Sequence, residues 1–235
     1  MRKPRRLTSE ELAPYCWDMP NRSHHAPRDD PHAERAVYGL DWPQFFGNLN
    51  PVEIEVGMGK GLFLLTQAMT RPEVNFLGIE VVRKYQLYAA TRYAIRKLPN
   101  AKTSCADAKV VLRDFVATGS VVAVHVLFPD PWWKARHKKR RVFTPEFAAD
   151  AARVIATGGR FHIASDVEEY FGVMGEIVRA MPQFRELNSE TSRESLEVAG
   201  FQTNFERKAR LQGTPVGRAW YERTDVPPPS AVASV

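Results

Sequence analysis

The chain has 235 residues, 44% of them hydrophobic and 26% charged, with a net charge of +6 and a pI near 9.4. That length fits one large domain that buries about 70% of its unfolded surface, so no metal or disulfide is needed to hold it. No stretch approaches the roughly 18–20 apolar residues of a membrane helix, and the basic start Met1-Arg2-Lys3-Pro4-Arg5-Arg6 leads into no apolar segment, which argues against a signal peptide. Cys16 and Cys105 have no C-x-x-C partner and no zinc spacing. They predict reduced thiols in a cytoplasmic protein with no bound metal.

Residues 1–50 carry Pro4, Pro14, Pro20, Pro27, Pro31 and Pro43, which break any long helix. They read as an irregular, partly flexible arm that tightens between Trp42 and Phe46. His24 and His25 are adjacent, lack a third ligand nearby, and read as loop residues. A domain over residues 51–225 follows. Residues 52–56 alternate as a strand does, a glycine-rich turn comes next, and residues 62–69 read as a helix closed by Pro72. Residues 74–80 form a second strand, and residues 82–98 a helix ended by Pro99-Asn100. A short strand over 102–105 and a helical fragment over 110–115 come next. Residues 121–128 are almost continuously apolar, the pattern of a central strand buried on both faces, and His125 within them reads as a satisfied core histidine.

Thr144-Pro145-Glu146 opens a helix with a threonine N-cap and proline in the first position. Phe147, Ala151, Val154 and Ile155 form its apolar stripe, and Gly158-Gly159 its expected end. Residues 160–164 are the next strand, and Asp166 starts a helix that Pro182 stops. Residues 201–207 and 218–222 read as late strands, and residues 226–235 as a disordered tail. Alternating strands and helices over residues 51–181 predict an α/β fold with a parallel, doubly wound sheet. In such sheets ligands bind beyond the carboxyl ends of the strands. Glu55 to Gly61, Glu80, Asp107 and Asp130 each follow a strand-like run, so all fall on that edge.

Glu55-Val56-Gly57-Met58-Gly59-Lys60-Gly61 has the form E-x-G-x-G-x-G. Its glycines let the backbone turn tightly and approach a ligand closely. The spacing is neither the dinucleotide G-x-G-x-x-G nor a P-loop. An acid ahead of the glycines repels a pyrophosphate and suits a ligand bearing an ammonium or sulfonium group. Glu80, at the end of the second strand, can accept both hydroxyls of a ribose, and Asp107 can accept from an adenine amino group. The set resembles the class I S-adenosylmethionine-dependent methyltransferases.

The most informative stretch is Pro129-Asp130-Pro131-Trp132-Trp133-Lys134-Ala135-Arg136-His137-Lys138-Lys139-Arg140-Arg141. Two prolines fix the backbone around the Asp130 carboxylate. Trp132 offers a face for a base or ribose, and Trp133 reads slightly better as core. Six cations in residues 134–141 equal the whole net charge, a cluster suited to phosphates. This stretch resembles the signature of the bacterial tRNA (guanine-N7)-methyltransferase family. The resemblance continues in Ala164-Ser165-Asp166-Val167-Glu168-Glu169-Tyr170 and in Thr203-Asn204-Phe205-Glu206-Arg207, which is similar to the family's Thr-x-Phe-Glu element, and spans about residues 51–223.

The resemblance implies a Rossmann-like, mostly parallel seven-stranded sheet with a C-terminal antiparallel strand. It implies that Glu55, Gly57, Gly59, Glu80, Asp107 and Asp130 hold S-adenosylmethionine, with Asp130 also catalytic. It implies that Lys134, Arg136, Lys138, Lys139, Arg140, Asp166, Thr203, Asn204, Phe205 and Glu206 meet a tRNA whose variable-loop guanine is methylated at N7. Trp133 and Asn204 depart from the family pattern, where proline or histidine and lysine are frequent. A monomer and a homodimer are both compatible with the sequence. Two other readings remain: a methyltransferase for another base nitrogen in rRNA or DNA, and a catalytically silent RNA-binding protein on this fold.

Overall fold

A computed structural model describes residues 7–20, 39–132, 135–187, 211 and 213–228. Helix α1 (Ser9–Leu12) opens with a capping box between Thr8 and Glu11 and leads into strand β1 (Cys16–Trp17). Then follow α2 (Trp42–Phe46), β2 (Val52–Val56), α3 (Leu62–Thr70), β3 (Asn75–Glu80) and α4 (Arg83–Ile95). After these come β4 (Ala101–Cys105), α5 (Ala108–Phe115), β5 (Val121–Leu127), a 3-10 turn over Ala135–Arg140 and α6 (Pro145–Val154). Strand β6 (Ile155–Ser165), α7 (Glu168–Arg179), β7 (Phe184–Glu186) and β8 (Gly217–Arg223) complete the described chain. The late strand expected over residues 201–207 lies outside the described residues.

The strands form one sheet in the order β1-β4-β3-β2-β5-β6-β8-β7. All pairs from β1 to β6 are parallel, and β8 runs antiparallel to both β6 and β7. The sheet therefore has eight described strands where seven were expected, because Cys16-Trp17 pairs with Thr103-Ser104 on one edge. Trp17 packs edge-on against Phe45 and Phe115, which ties this strand to the core.

Every residue of β2 and of β3 is buried, as expected for strands covered on both faces. Ile54, Val56, Leu77 and Val124 face a core shared with α5, α6 and α7. Phe63, Leu64, Phe76, Ala89 and Tyr93 fill a second core beneath α3 and α4. Thr144 caps α6 by accepting the Phe147 N–H at 3.2 Å, with Pro145 in the first turn.

Two boundaries differ from the expectation. Helix α6 ends at Val154, and Gly158-Gly159 lie inside β6 rather than at a helix end. The register slips between Val121 and Ala123 opposite them, and a Cβ on Gly159 would stand 2.8 Å from the Val122 carbonyl. These glycines serve an irregular strand pairing. Helix α7 starts at Glu168, so Asp166 stays in the turn before it.

His125 is a core residue, as expected. Its Nε2 lies 3.1 Å from Glu53 Oε2, and its Nδ1 lies 3.3 Å from His162 Nδ1. Burial pushes the Glu53 carboxyl up, but His125 and Arg71 more than offset this and bring it down to about 2. An ionised Glu53 only accepts, so His125 Nε2 carries a hydrogen. Arg218 donates to His162 Nε2 at 3.2 Å, which leaves the His162 hydrogen on Nδ1, pointing at His125. Burial, His125 and Arg218 all keep His162 well below its ordinary value, and Trp220 stacks on it at 3.8 Å. One set of ring tautomers thus gives each contact in the chain a donor and an acceptor across four strands.

Candidate active site

The strand order reverses between β2 and β5, since β2 leads on to β3 on one side while β5 leads on to β6 on the other. Loops at such a point diverge and leave a crevice at the carboxyl edge. The parallel order β4-β3-β2-β5-β6 sets the predicted residues along that edge as Asp107, Glu80, the glycine turn, Asp130 and Asp166. The glycine turn and Asp130 flank the reversal itself.

The turn after β2 has Gly57 at φ 72° and Gly59 at φ 53°, in the left-handed region that favours glycine. A Cβ on either would meet nothing within 4 Å, so open space lies over the backbone. Gly61, at φ 63°, serves packing instead, because a Cβ there would overlap Ala89 and Tyr93.

Glu80 is buried and braces this turn. Its Oε2 accepts the Gly59 N–H at 2.9 Å and its Oε1 accepts the Val82 N–H at 2.8 Å. Carboxylate oxygens have further lone pairs, so both keep capacity for hydroxyl donors. Glu55 is buried beneath the turn, and its Oε2 has no hydrogen-bond partner among the described residues. Burial pushes its carboxyl well above the usual range, the Leu64 N–H pulls it down, and Glu80 pushes it up. A buried acid with an orphaned oxygen beneath an open glycine cradle suits a cationic ligand. Asp107 is exposed and caps α5 by accepting the Lys109 N–H at 2.9 Å through Oδ1. Together these residues fit S-adenosylmethionine, which carries a sulfonium, an ammonium, a ribose diol and an adenine amino group.

Asp130 is exposed at the end of β5. The turn that carries it holds two non-glycine residues in the left-handed region, Phe128 at φ 54° and Trp132 at φ 43°. Such conformations cost about 1–3 kcal/mol each and cluster at functional sites. Buried Phe128 is fixed by its N–H, which donates to the Ala164 carbonyl at 2.8 Å. Trp132 packs edge-on against His137 at 5.7 Å, and the Arg140 guanidinium lies 5.1 Å over its ring. Arg141 donates to the Pro131 carbonyl at 2.7 Å and lies 4.6 Å over the Tyr170 ring. Lys109 Nζ donates to the Arg141 carbonyl at 2.7 Å.

Within the basic run, Arg136, Lys139 and Arg140 are exposed. Asp166 is exposed at the end of β6, next to the Asp130 turn. Lys134, Thr203, Asn204, Phe205, Glu206 and the Lys138 side chain lie outside the described residues. Sequence reasoning missed Tyr170 as the platform under Arg141 and Lys109 as its brace. Tyr170 reads as one more apolar position on a helix stripe, and only tertiary structure brings Arg141 over it. Among the described residues, no group of three or more His, Cys, Asp or Glu could hold a metal ion, and no helix is long and apolar enough to cross a membrane.

A family model described as "Putative methyltransferase" matches residues 49–219. The tRNA (guanine-N(7)-)-methyltransferase of Rhodopirellula baltica is 44% identical over 184 residues, 76% of this chain and 68% of that protein. The protein of the same name from Actinobacillus pleuropneumoniae is 36% identical over 218 residues, covering 88% of this chain and 82% of that one. This chain belongs to the tRNA (guanine-N(7)-)-methyltransferase family. The match to the family member of Aliivibrio fischeri, 40% identical over 153 residues, spans 63% of that protein and 64% of this chain.

Solved structures bear on the fold alone. The 16S rRNA methyltransferase KamB superposes with a TM-score of 0.55 at 20% identity, over 79% of this chain and 94% of that one. The [4+2]-cyclase SpnF gives 0.51 at 15%, over 74% and 76%. A cyclase on this fold means that side chains, not the sheet, must carry any functional argument.

Proposed function

We propose that this protein is a cytoplasmic enzyme that transfers a methyl group from S-adenosylmethionine to N7 of the variable-loop guanine of tRNA. The observation that carries the reading is that an open glycine cradle, above a buried Glu55 whose Oε2 has no hydrogen-bond partner among the described residues, and the exposed Asp130 lie on either side of the strand reversal. Family membership supports the same substrate.

The cofactor, when bound, supplies an electrophilic methyl on a sulfonium. Its positive charge would draw the raised Glu55 carboxyl back toward the ionised form that balances it, Glu80 would take the ribose hydroxyls and Asp107 the adenine edge. Guanine N7 carries a lone pair in the neutral base, so no proton need leave before attack, and the protein contributes mainly position. Asp130 accepts from the guanine N1–H and amino group, holds N7 toward the methyl, and favours the cationic ring formed on alkylation. Asp166 stands on the next strand end and shares that electrostatic role. Arg136, Lys139 and Arg140 take the phosphates, with Lys134, Lys138 and residues 203–206 completing the RNA contact.

The test is transfer of labelled methyl to unmodified tRNA transcripts, followed by digestion to nucleosides. The expected label is in 7-methylguanosine, and Asp130→Ala should lower the rate by about 100-fold or more while the protein still melts cooperatively. Label in any other nucleoside contradicts the assignment of the atom. A fully active Asp130→Ala contradicts the assignment of the residue.

A further inference from the structure

Residues 81–97 contain five cations, Arg83, Lys84, Arg92, Arg96 and Lys97, and no carboxylate. A solvated helix face ordinarily mixes both signs. On α4, Gln86, Ala89, Ala90 and Tyr93 take the packing against the sheet. Tyr85 and Tyr88, one turn apart, stay 39% and 52% exposed. Lys60 Nζ, from the glycine turn, lies 6.0 Å from the Tyr85 ring centre and 5.7 Å from that of Tyr88. The Arg92 guanidinium lies 5.9 Å from the Tyr88 ring centre and is fixed by donating to the Lys60 carbonyl at 3.1 Å. Two flat rings are thus framed by cations, one of which comes from the cofactor turn itself. Helix α4 begins where β3 ends, so this face borders the same carboxyl edge as Asp130.

The distribution of charge names the occupant. Eleven of the 33 cations and none of the 27 acidic residues fall in residues 81–97 and 134–141, which leaves the rest of the chain with a net charge of −5. The two basic runs follow β3 and β5, the strands on either side of β2. One polyanion lying across the edge meets both. An RNA offers phosphates for the cations and base or ribose faces for the rings.

We infer that the Lys60–Tyr85–Tyr88–Arg92 face is a second tRNA-docking surface, where the tyrosines stack an accessible base or ribose and the cations contact its neighbouring phosphates. This rests on the tRNA reading above. The parent protein is the control that separates the two: an absence of both tRNA binding and methylation in the parent overturns that reading and this inference with it.

The experiment compares dissociation constants for an unmodified tRNA transcript across a salt series, with S-adenosylmethionine binding measured in parallel. Tyr85→Ala/Tyr88→Ala should weaken tRNA binding by about ten-fold or more, because stacking is worth that much per base. The salt slope should not change, since no charge is removed. Tyr85→Phe/Tyr88→Phe should match the parent, and cofactor binding should be the same throughout. Lys84→Glu, at an exposed site that does not test the fold, should weaken tRNA binding and flatten the salt slope by about one or two. A parent that binds and methylates tRNA, with alanine and Lys84→Glu variants within two-fold of it, overturns the inference and leaves the function standing. Should the double alanine variant fail to fold, Lys84→Glu alone decides. A dimer that the variants dissociate, at unchanged tRNA affinity, would make the face a contact between copies and overturn it equally.

Discussion

Glu53 and Glu55 share one face of β2 and are both buried, yet they hold their protons differently. Burial pushes each up. His125 and Arg71 outweigh this at Glu53 and bring it to about 2, while Glu55, with no cation beside it among the described residues, stays raised, with Glu80 adding to the rise. For Glu53, lowered in the folded state, the stabilisation is present above the ordinary carboxylate value and is lost as pH falls from there toward about 2. Glu53→Ala removes the carboxylate from between Arg71 and His125 and should cost about 3 kcal/mol or more in urea unfolding. For Glu55, raised in the folded state, the stabilisation is present below the ordinary value and is lost as pH rises through the raised one. Glu55→Gln should therefore raise the melting temperature of the ligand-free protein by a few degrees at about pH 8 and weaken S-adenosylmethionine binding by about ten-fold. A lower melting temperature with unchanged cofactor affinity would make Glu55 a structural residue only.

At the scale of elements, the turn after β5 is the piece on which the proposed chemistry depends. It joins two left-handed residues, Phe128 and Trp132, to a basic 3-10 turn, and Trp132 links them by packing against His137 and Arg140. Trp132→Ala should release the cations of residues 135–140 and raise the KM for tRNA by about ten-fold, with a smaller change in kcat. A fall in kcat at constant KM would place the ring against the reacting base instead. The same scale shows what a sequence reveals. Strands β2, β3 and β5 and helices α3, α4 and α6 have periodicity, caps or prolines that mark them, and their boundaries are legible to within a few residues. Strands β1 and β7 are two and three residues long, too short for any period, and exist only because a sheet edge accepts them. Gly158-Gly159 reads locally as a helix stop, but the need to pair β6 with a slipped β5 decides its conformation.

Across the whole molecule, one edge of the sheet collects what the chain disperses. Glu55, Glu80, Asp107, Asp130 and Asp166 are spread over more than a hundred residues, and the parallel order β4-β3-β2-β5-β6 brings them into line. That convergence is legible from sequence because each acid ends a strand-like run and right-handed crossovers leave few alternatives. The tyrosine and cation face of α4, the platform under Arg141 and the histidine chain are not legible, because each depends on side chains that meet only after packing. Placing two acid-free basic runs along that edge makes tRNA affinity steeply salt-dependent, while cofactor affinity stays nearly flat. The measurement that reaches the central claim most directly replaces the variable-loop guanine of a tRNA transcript by 7-deazaguanine, which keeps the Watson–Crick edge and removes only the N7 acceptor. The predicted result is binding close to that of the ordinary transcript with no methyl transfer. Transfer to the deaza transcript at the ordinary rate would show that the methyl goes to another atom and would contradict the account.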